Sequence, residues 1–159
     1  MKTYCPSCFY PNEENQKTCQ KCGKLIEWKD ESYEGKLIKA LSHRDPRIVL
    51  RAAEILSNFN TDKTKIALTK TIFNTKDPYV QATAVKSLAN ISTDKTLKIF
   101  KEIALSGTLP ARLQAIEAIG NKSCLKDIGL LEKIKKDDSE TVRIKASEAI
   151  INIKKRYGI

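Results

Sequence analysis

Asp77–Asn90, DPYVQATAVKSLAN, is the stretch that decides the fold. Asp77 and Pro78 are a turn signal. Val80, Ala84, Ser87 and Leu88 recur at helical spacing on one face, and Asn90 closes the segment. The same pattern returns three times. Aligned on Ile48, Val80, Ala111 and Val142, the copies lie 31 or 32 residues apart. Four positions on comes Ala52, Ala84, Ala115 and Ala146; seven on, Ile55, Ser87, Ala118 and Ala149; eight on, Leu56, Leu88, Ile119 and Ile150. Offsets of 0, 4, 7 and 8 trace one helix face, and an alanine at the second position admits another helix closely. Ten positions on, all four copies carry Asn: Asn58, Asn90, Asn121 and Asn152. Asn tolerates the left-handed conformation that ends helices, so these read as C-terminal caps.

Between these helices lie second periodic segments, about 32–42, 62–74, 94–105 and 125–136. TDKT at 61–64 and again at 93–96 offers Thr or Asp as N-caps. Each unit is then a helical hairpin that cannot bury its apolar face alone, and stacked hairpins make a solenoid. The expected fold is all-α: a right-handed α-solenoid of about four hairpins behind a small amino-terminal metal-binding module.

That module is read from Cys5-Pro6-Ser7-Cys8 and Cys19-Gln20-Lys21-Cys22, two CxxC pairs ten residues apart. A CxxC turn aims two sulfurs at one ion, and two such turns complete a tetrahedral S₄ cage suited to Zn²⁺, with iron in a rubredoxin-like site the alternative. A redox dithiol needs one pair near a βαβ unit, not two in a short polar segment. Fewer than 30 residues bury little core, so the metal would supply the folding free energy.

The segment Tyr4–Leu25, YCPSCFYPNEENQKTCQKCGKL, resembles the short zinc-ribbon family in which CPxCG and CxxCG knuckles flank a loop of the type NPxxAKF. The resemblance makes Cys5, Cys8, Cys19 and Cys22 the ligands of one structural zinc with no open coordination site, and matches Pro6 and Gly23 to the knuckle Pro and Gly. Phe9 replaces the first knuckle glycine, which implies a turn made without positive φ. The expected boundaries are a ribbon at 1–28, a short linker at 29–35 and the solenoid at 36–159. Its repeats fall at about 32–60, 61–92, 93–122 and 123–157. Trp28 and Tyr33 are expected to pack the ribbon onto the first hairpin as a docked cap, since the linker has no Pro/Ser/Gly run.

Residues 36–153 resemble HEAT repeats of the short type first recognised in phycobilin lyases, whose second helix reads DPxVRxxAxxALG. The copies here are DPRIVLRAAEIL, DPYVQATAVKSL, TLPARLQAIEAIG and SETVRIKASEAI. In that family the Arg and Asp often pair between repeats; only Arg112 and Arg143 keep the Arg, which implies an incomplete ladder. The fold also hosts enzymes. Its iron hydroxylases need repeated His-Glu pairs, and this chain has the single His43. Its alkylpurine glycosylases and bilin lyases are longer. His43 and Cys124 have no catalytic partners nearby in sequence and read as a loop histidine and a semi-buried cysteine. No Ser/His/Asp set, phosphate loop or carboxylate pair stands out, so the reading is a non-enzyme.

Composition bears on the partner. The formal charge of +10 favours acidic partners. Along the predicted inner face, however, Arg51, Lys86 and Lys145 are balanced by Glu54, Glu117 and Glu148, with Thr83 and Gln114 between them. A phosphate-binding groove would be predominantly basic there. The mixture suits a protein partner, with Tyr79 among the free positions alongside Gln81. The positive excess lies on the first helices (Lys63, Lys65, Lys70, Lys95, Lys98, Lys101) and in the tail Lys154-Lys155-Arg156, which supports the alternative of a nucleic-acid- or ribosome-associated protein. A third reading makes the chain a subunit of a larger assembly through Ile150, Ile151, Ile153, Tyr157 and Ile159. No signal peptide opens the sequence and no apolar run spans a bilayer, so a cytoplasmic protein with reduced thiols and no membrane partner is expected.

Overall fold

The computed structural model describes residues 2–13, 16–26, 32–91 and 96–158. Trp28, Thr93, Asp94, Lys95 and Ile159 lie outside them, and with them the expected Trp28 packing and most of the second TDKT cap. A two-stranded antiparallel sheet comes first, β1 (Lys2–Tyr4) with β2 (Pro11–Glu13), Thr3 opposite Asn12. Among the described residues eight α-helices follow in four pairs: α1 (Tyr33–Ala40) with α2 (Pro46–Leu56), α3 (Asp62–Asn74) with α4 (Pro78–Asn90), α5 (Leu97–Ser106) with α6 (Leu109–Lys122), and α7 (Ile128–Ile134) with α8 (Glu140–Arg156). A 3₁₀ turn, Leu125–Asp127, leads into α7. No helix among the described residues is long and apolar enough to cross a membrane.

Short polar residues set the starts. Ser32 accepts from the Gly35 N–H ahead of α1, and Thr61 from that of Thr64 ahead of α3. Asp45 and Asp77 accept from N–H groups of the first turn, each followed by Pro at N1, where its missing donor costs nothing.

The second helices α2, α4, α6 and α8 stack in sequence as one layer, and each first helix packs against its own second helix. The alanines explain the close stacking: Ala52, Ala84, Ala115 and Ala146 are all at 0% exposure. Gly120 of α6 also allows close approach: a Cβ there would lie 2.8 Å from the Cα and Cβ of Ala149 on α8.

Several expectations fail. Ile48 is only half-buried and its neighbour Val49 takes the core place in the first repeat. The four Asn residues are exposed and none is a left-handed cap; among the described residues Phe9 alone, apart from glycines, has positive φ. The helices end instead in residues such as Ser57 and Ser123, whose N–H groups bond back to the last turn, and α8 simply runs on past Asn152. Asn58 does use its side chain, Nδ2 donating to Ile55 O at 3.1 Å.

Candidate metal centre and interaction face

The two CxxC turns are built alike. The Phe9 N–H donates to Cys5 O at 2.8 Å and the Gly23 N–H to Cys19 O at 2.9 Å, each closing a loop around its pair. Phe9 takes the glycine place and the glycine conformation, φ +55°, against +71° at Gly23. The turn after Cys8 is therefore made with positive φ, contrary to the sequence expectation. A side chain there costs roughly 1–2 kcal/mol. Burying a phenyl ring returns about 1.5–3 kcal/mol, and Phe9 is 6% exposed within the same apolar cluster as Leu37 and Leu56.

These turns bring four sulfurs together, all within 4.8 Å of one another. Cys5 Sγ lies 3.6 Å from Cys22 Sγ, and Cys8 Sγ 3.5 Å from Cys19 Sγ. Zn–S bonds of about 2.3 Å in a tetrahedron give edges of about 3.8 Å, so the cluster has the size of a metal cage. N–H donors already surround the sulfurs: Ser7 to Cys5 and Lys21 to Cys19, both at 3.4 Å, with Asn12 Nδ2 at 3.7 Å from Cys19. Burial and the neighbouring sulfurs push the Cys8 thiol up to about 12. Cys19 is brought to about 6: burial opposes this, but N–H groups of Cys22 and Lys21 and the Cys8 and Cys22 sulfurs outweigh it. Four sulfurs this close ionise together only around a cation. The donor set fits a thiophilic metal ion.

The hairpin also touches the helices. Tyr4 stacks on Tyr33, ring centroids 6.4 Å apart, and Tyr33 packs against Phe59 at 6.0 Å. Arg51 of α2 lies over the Tyr4 ring at 5.7 Å and donates to its hydroxyl at 3.3 Å.

The inner-face residues divide. Lys145 bridges α8 to α6, with Glu117 at 3.1 Å and Glu148 at 3.4 Å. Glu117 first and Glu148 after it raise the Lys145 pKa, against the effect of burial. Arg51 pairs with Glu54 at 3.4 Å. Arg51, Glu54, Lys86, Glu117 and Glu148 are exposed, and Thr83 and Gln114 half-buried. Tyr79, 68% exposed, stands at the start of α4. Gln81 is not free as expected. Its Nε2 donates to Ile72 O at 3.0 Å, and its Oε1 accepts from the Thr108 N–H and hydroxyl at 3.0 and 2.8 Å.

The outer basic ridge is thinner than the sequence suggested. Lys101 pairs with the buried Asp127 at 2.5 Å and Lys65 with Asp62 at 3.9 Å, leaving Lys63, Lys70 and Lys98 exposed. The apolar carboxy-terminal end is also smaller: Ile150 and Ile153 are buried in the molecule's own core, and Ile151 and Tyr157 remain exposed. Sequence reasoning missed Ile144, 52% exposed on the same helix. His43 is exposed, its Nδ1 accepting from the Asp45 N–H at 3.0 Å, and Cys124 is half-buried with Sγ 4.0 Å from Asp127.

No curated protein matches the sequence. A family model of HEAT repeats matches residues 34–120, from the second residue of α1 to the close-packed Gly120 of α6. HEAT repeats are characteristic of protein-interaction scaffolds. That match covers more than half of the 159 residues, and the chain belongs to the HEAT-repeat family.

Proposed function

We propose that this chain is a non-catalytic adaptor in which a zinc ribbon caps a HEAT-repeat solenoid and the second-helix layer docks a protein partner. The division of labour is ribbon 1–28, linker 29–35, whose last three residues already open α1, and solenoid 36–159. Cys5, Cys8, Cys19 and Cys22 hold one Zn²⁺, whose closed four-sulfur coordination stabilises the ribbon and leaves no position for a substrate. The docking surface is written in Arg51, Glu54, Tyr79, Thr83, Lys86, Gln114, Glu117, Lys145 and Glu148.

The observation that carries this reading is the internal pairing of that surface. Arg51 with Glu54, and Lys145 with Glu117 and Glu148, neutralise one another on helices that form one continuous layer. Such a surface offers no run of free cations to a phosphate backbone. The test is affinity capture with the full chain, nuclease-treated, against Lys86→Glu/Glu117→Lys. A stoichiometric protein held by the parent and lost by the variant supports the adaptor. A nucleic acid or ribosomal particle held equally by both, through Lys63, Lys70 and Lys98, contradicts it.

A further inference from the structure

One polar contact that ties a second helix to the next repeat is missing at the first junction, which Glu34 and the α2–α4 packing still hold. In the third repeat, Arg112 of α6 donates from Nε to Ala104 O at 3.0 Å and pairs with Asp137 ahead of α8. In the second, Gln81 makes the same connection without charge, from Ile72 to Thr108. In the first, the residue one on from Ile48 is Val49, which turns into the core and has no polar group to offer Asp77.

A cleft of about 530 Å³ opens there, between the α1–α2 turn, the carboxy-terminal half of α3 and the start of α4. That volume lies in the range of ligand pockets, roughly 300–1,000 Å³. Leu41, Val49, Ala67 and Val80 give it apolar walls. Arg44, Lys70 and Lys76 ring it, all exposed, and none has an ion-pair partner among the described residues, unlike Lys101, Arg112 and Lys145. Asp77 is the one carboxylate in the lining, and its Oδ1 already accepts from the Tyr79 and Val80 N–H groups at 2.8 and 3.0 Å. His43 adds a donor. Its Nδ1 accepts from the Asp45 N–H, so in the neutral imidazole the hydrogen is on Nε2.

We propose that this cleft binds a short acidic peptide segment carrying one apolar anchor residue. Three cations without ion-pair partners among the described residues, Lys70 on α3, Arg44 in the α1–α2 turn and Lys76 in the α3–α4 turn, outnumber the single Asp77 carboxylate and match carboxylates along an extended segment rather than one point charge. The apolar walls match a buried aliphatic side chain. No Phe, Tyr or Trp lines the cleft, so it has no platform on which a nucleobase would stack. None of the second-helix docking residues lines it, so it is a separate contact and stands or falls apart from them.

Fluorescence anisotropy of the full chain with a fluorescein-labelled peptide of Glu and Asp around one central Leu tests this. Saturable binding is expected. Lys70→Ala/Lys76→Ala, both at exposed positions, weakens it about tenfold. Replacing the peptide's Leu by Ser weakens it by roughly tenfold or more. Val49→Arg, which supplies the missing connection towards Asp77, abolishes it. Should that buried substitution unfold the chain, the double alanine variant decides the matter alone. Lys86→Glu/Glu117→Lys leaves peptide affinity unchanged, which separates this site from the docking face. Absence of saturable binding, equal affinity for the Leu and Ser peptides, unchanged affinity in the double variant, or displacement by a tighter-binding single-stranded oligonucleotide would each overturn the proposal.

Discussion

Phe9 and Gly23 occupy equivalent places in the two cysteine turns, with φ of +55° and +71°, and both donate their N–H to the carbonyl of the first cysteine of their pair. The conformation is required by the turn, while the phenyl ring is required by the core it enters. Two substitutions separate these demands. Phe9→Ala loses the ring and keeps the backbone strain; Phe9→Gly loses the ring and removes the strain. In urea unfolding of the metal-loaded chain, Phe9→Ala is expected to be the less stable by about 1 kcal/mol. Equal loss in both would show that the left-handed turn carries no strain.

Gly120 and Gly129 make an opposite pair. A methyl at Gly120 meets the Ala149 backbone at 2.8 Å, which cannot swing aside like a side chain, and nothing lies within 4 Å of one at Gly129 in α7. Gly120→Ala is expected to destabilise by roughly 1–3 kcal/mol. Gly129→Ala should stabilise by about 0.5–1 kcal/mol through helix propensity alone. Thermal unfolding of the two variants beside the parent checks both signs.

The helix layer was legible because its signal is periodic. Ala52, Ala84, Ala115 and Ala146 announce a close helix contact by spacing, and all four are fully buried. The four cysteines were legible because CxxC turns act locally. What spacing could not show was how one position serves two purposes. Asn58, Asn90, Asn121 and Asn152 share an offset but lie beyond, at or inside their helix ends, so a shared offset was no guide to a shared cap. Gln81 looked like a surface residue because its partners, Ile72 and Thr108, are joined to it only by folding. Phe9 read as an obstacle to positive φ because its compensating burial comes from helices far along the chain. The cleft beside Val49 was invisible for a related reason: an absent connection leaves no motif.

Acid should loosen the first junction in a specific way. The Thr61 hydroxyl, then that of Thr64, hold the Glu34 carboxyl below its ordinary value, tying α1 to α3. A carboxylate whose folded pKa is depressed adds stability that is complete above its unfolded value, about 4.3, and is lost as pH falls through the folded one. Glu34→Gln keeps the shape and cannot titrate. Melting temperatures measured between about pH 6 and pH 3 should therefore fall less steeply for Glu34→Gln than for the parent. Parallel slopes would remove Glu34 from the account.

The metal assignment predicts about one zinc per chain by elemental analysis, with Cys5→Ser or Cys22→Ser abolishing it. The helices bury an extensive core of their own beyond Phe9, so far-UV circular dichroism should retain most of its helical signal in these variants. A purified parent chain free of metal would be incompatible with the four-sulfur cage as a zinc site.

Whether a protein docks on the second-helix layer is tested most directly by a photo-crosslinking residue placed at Thr83, on α4, and separately at Lys98, on the outer α5. The adaptor reading predicts that illumination in native lysate joins the Thr83 chain to one protein in high yield and leaves the Lys98 chain unmodified. Crosslinks from Lys98 to nucleic acid, with none from Thr83, would contradict it.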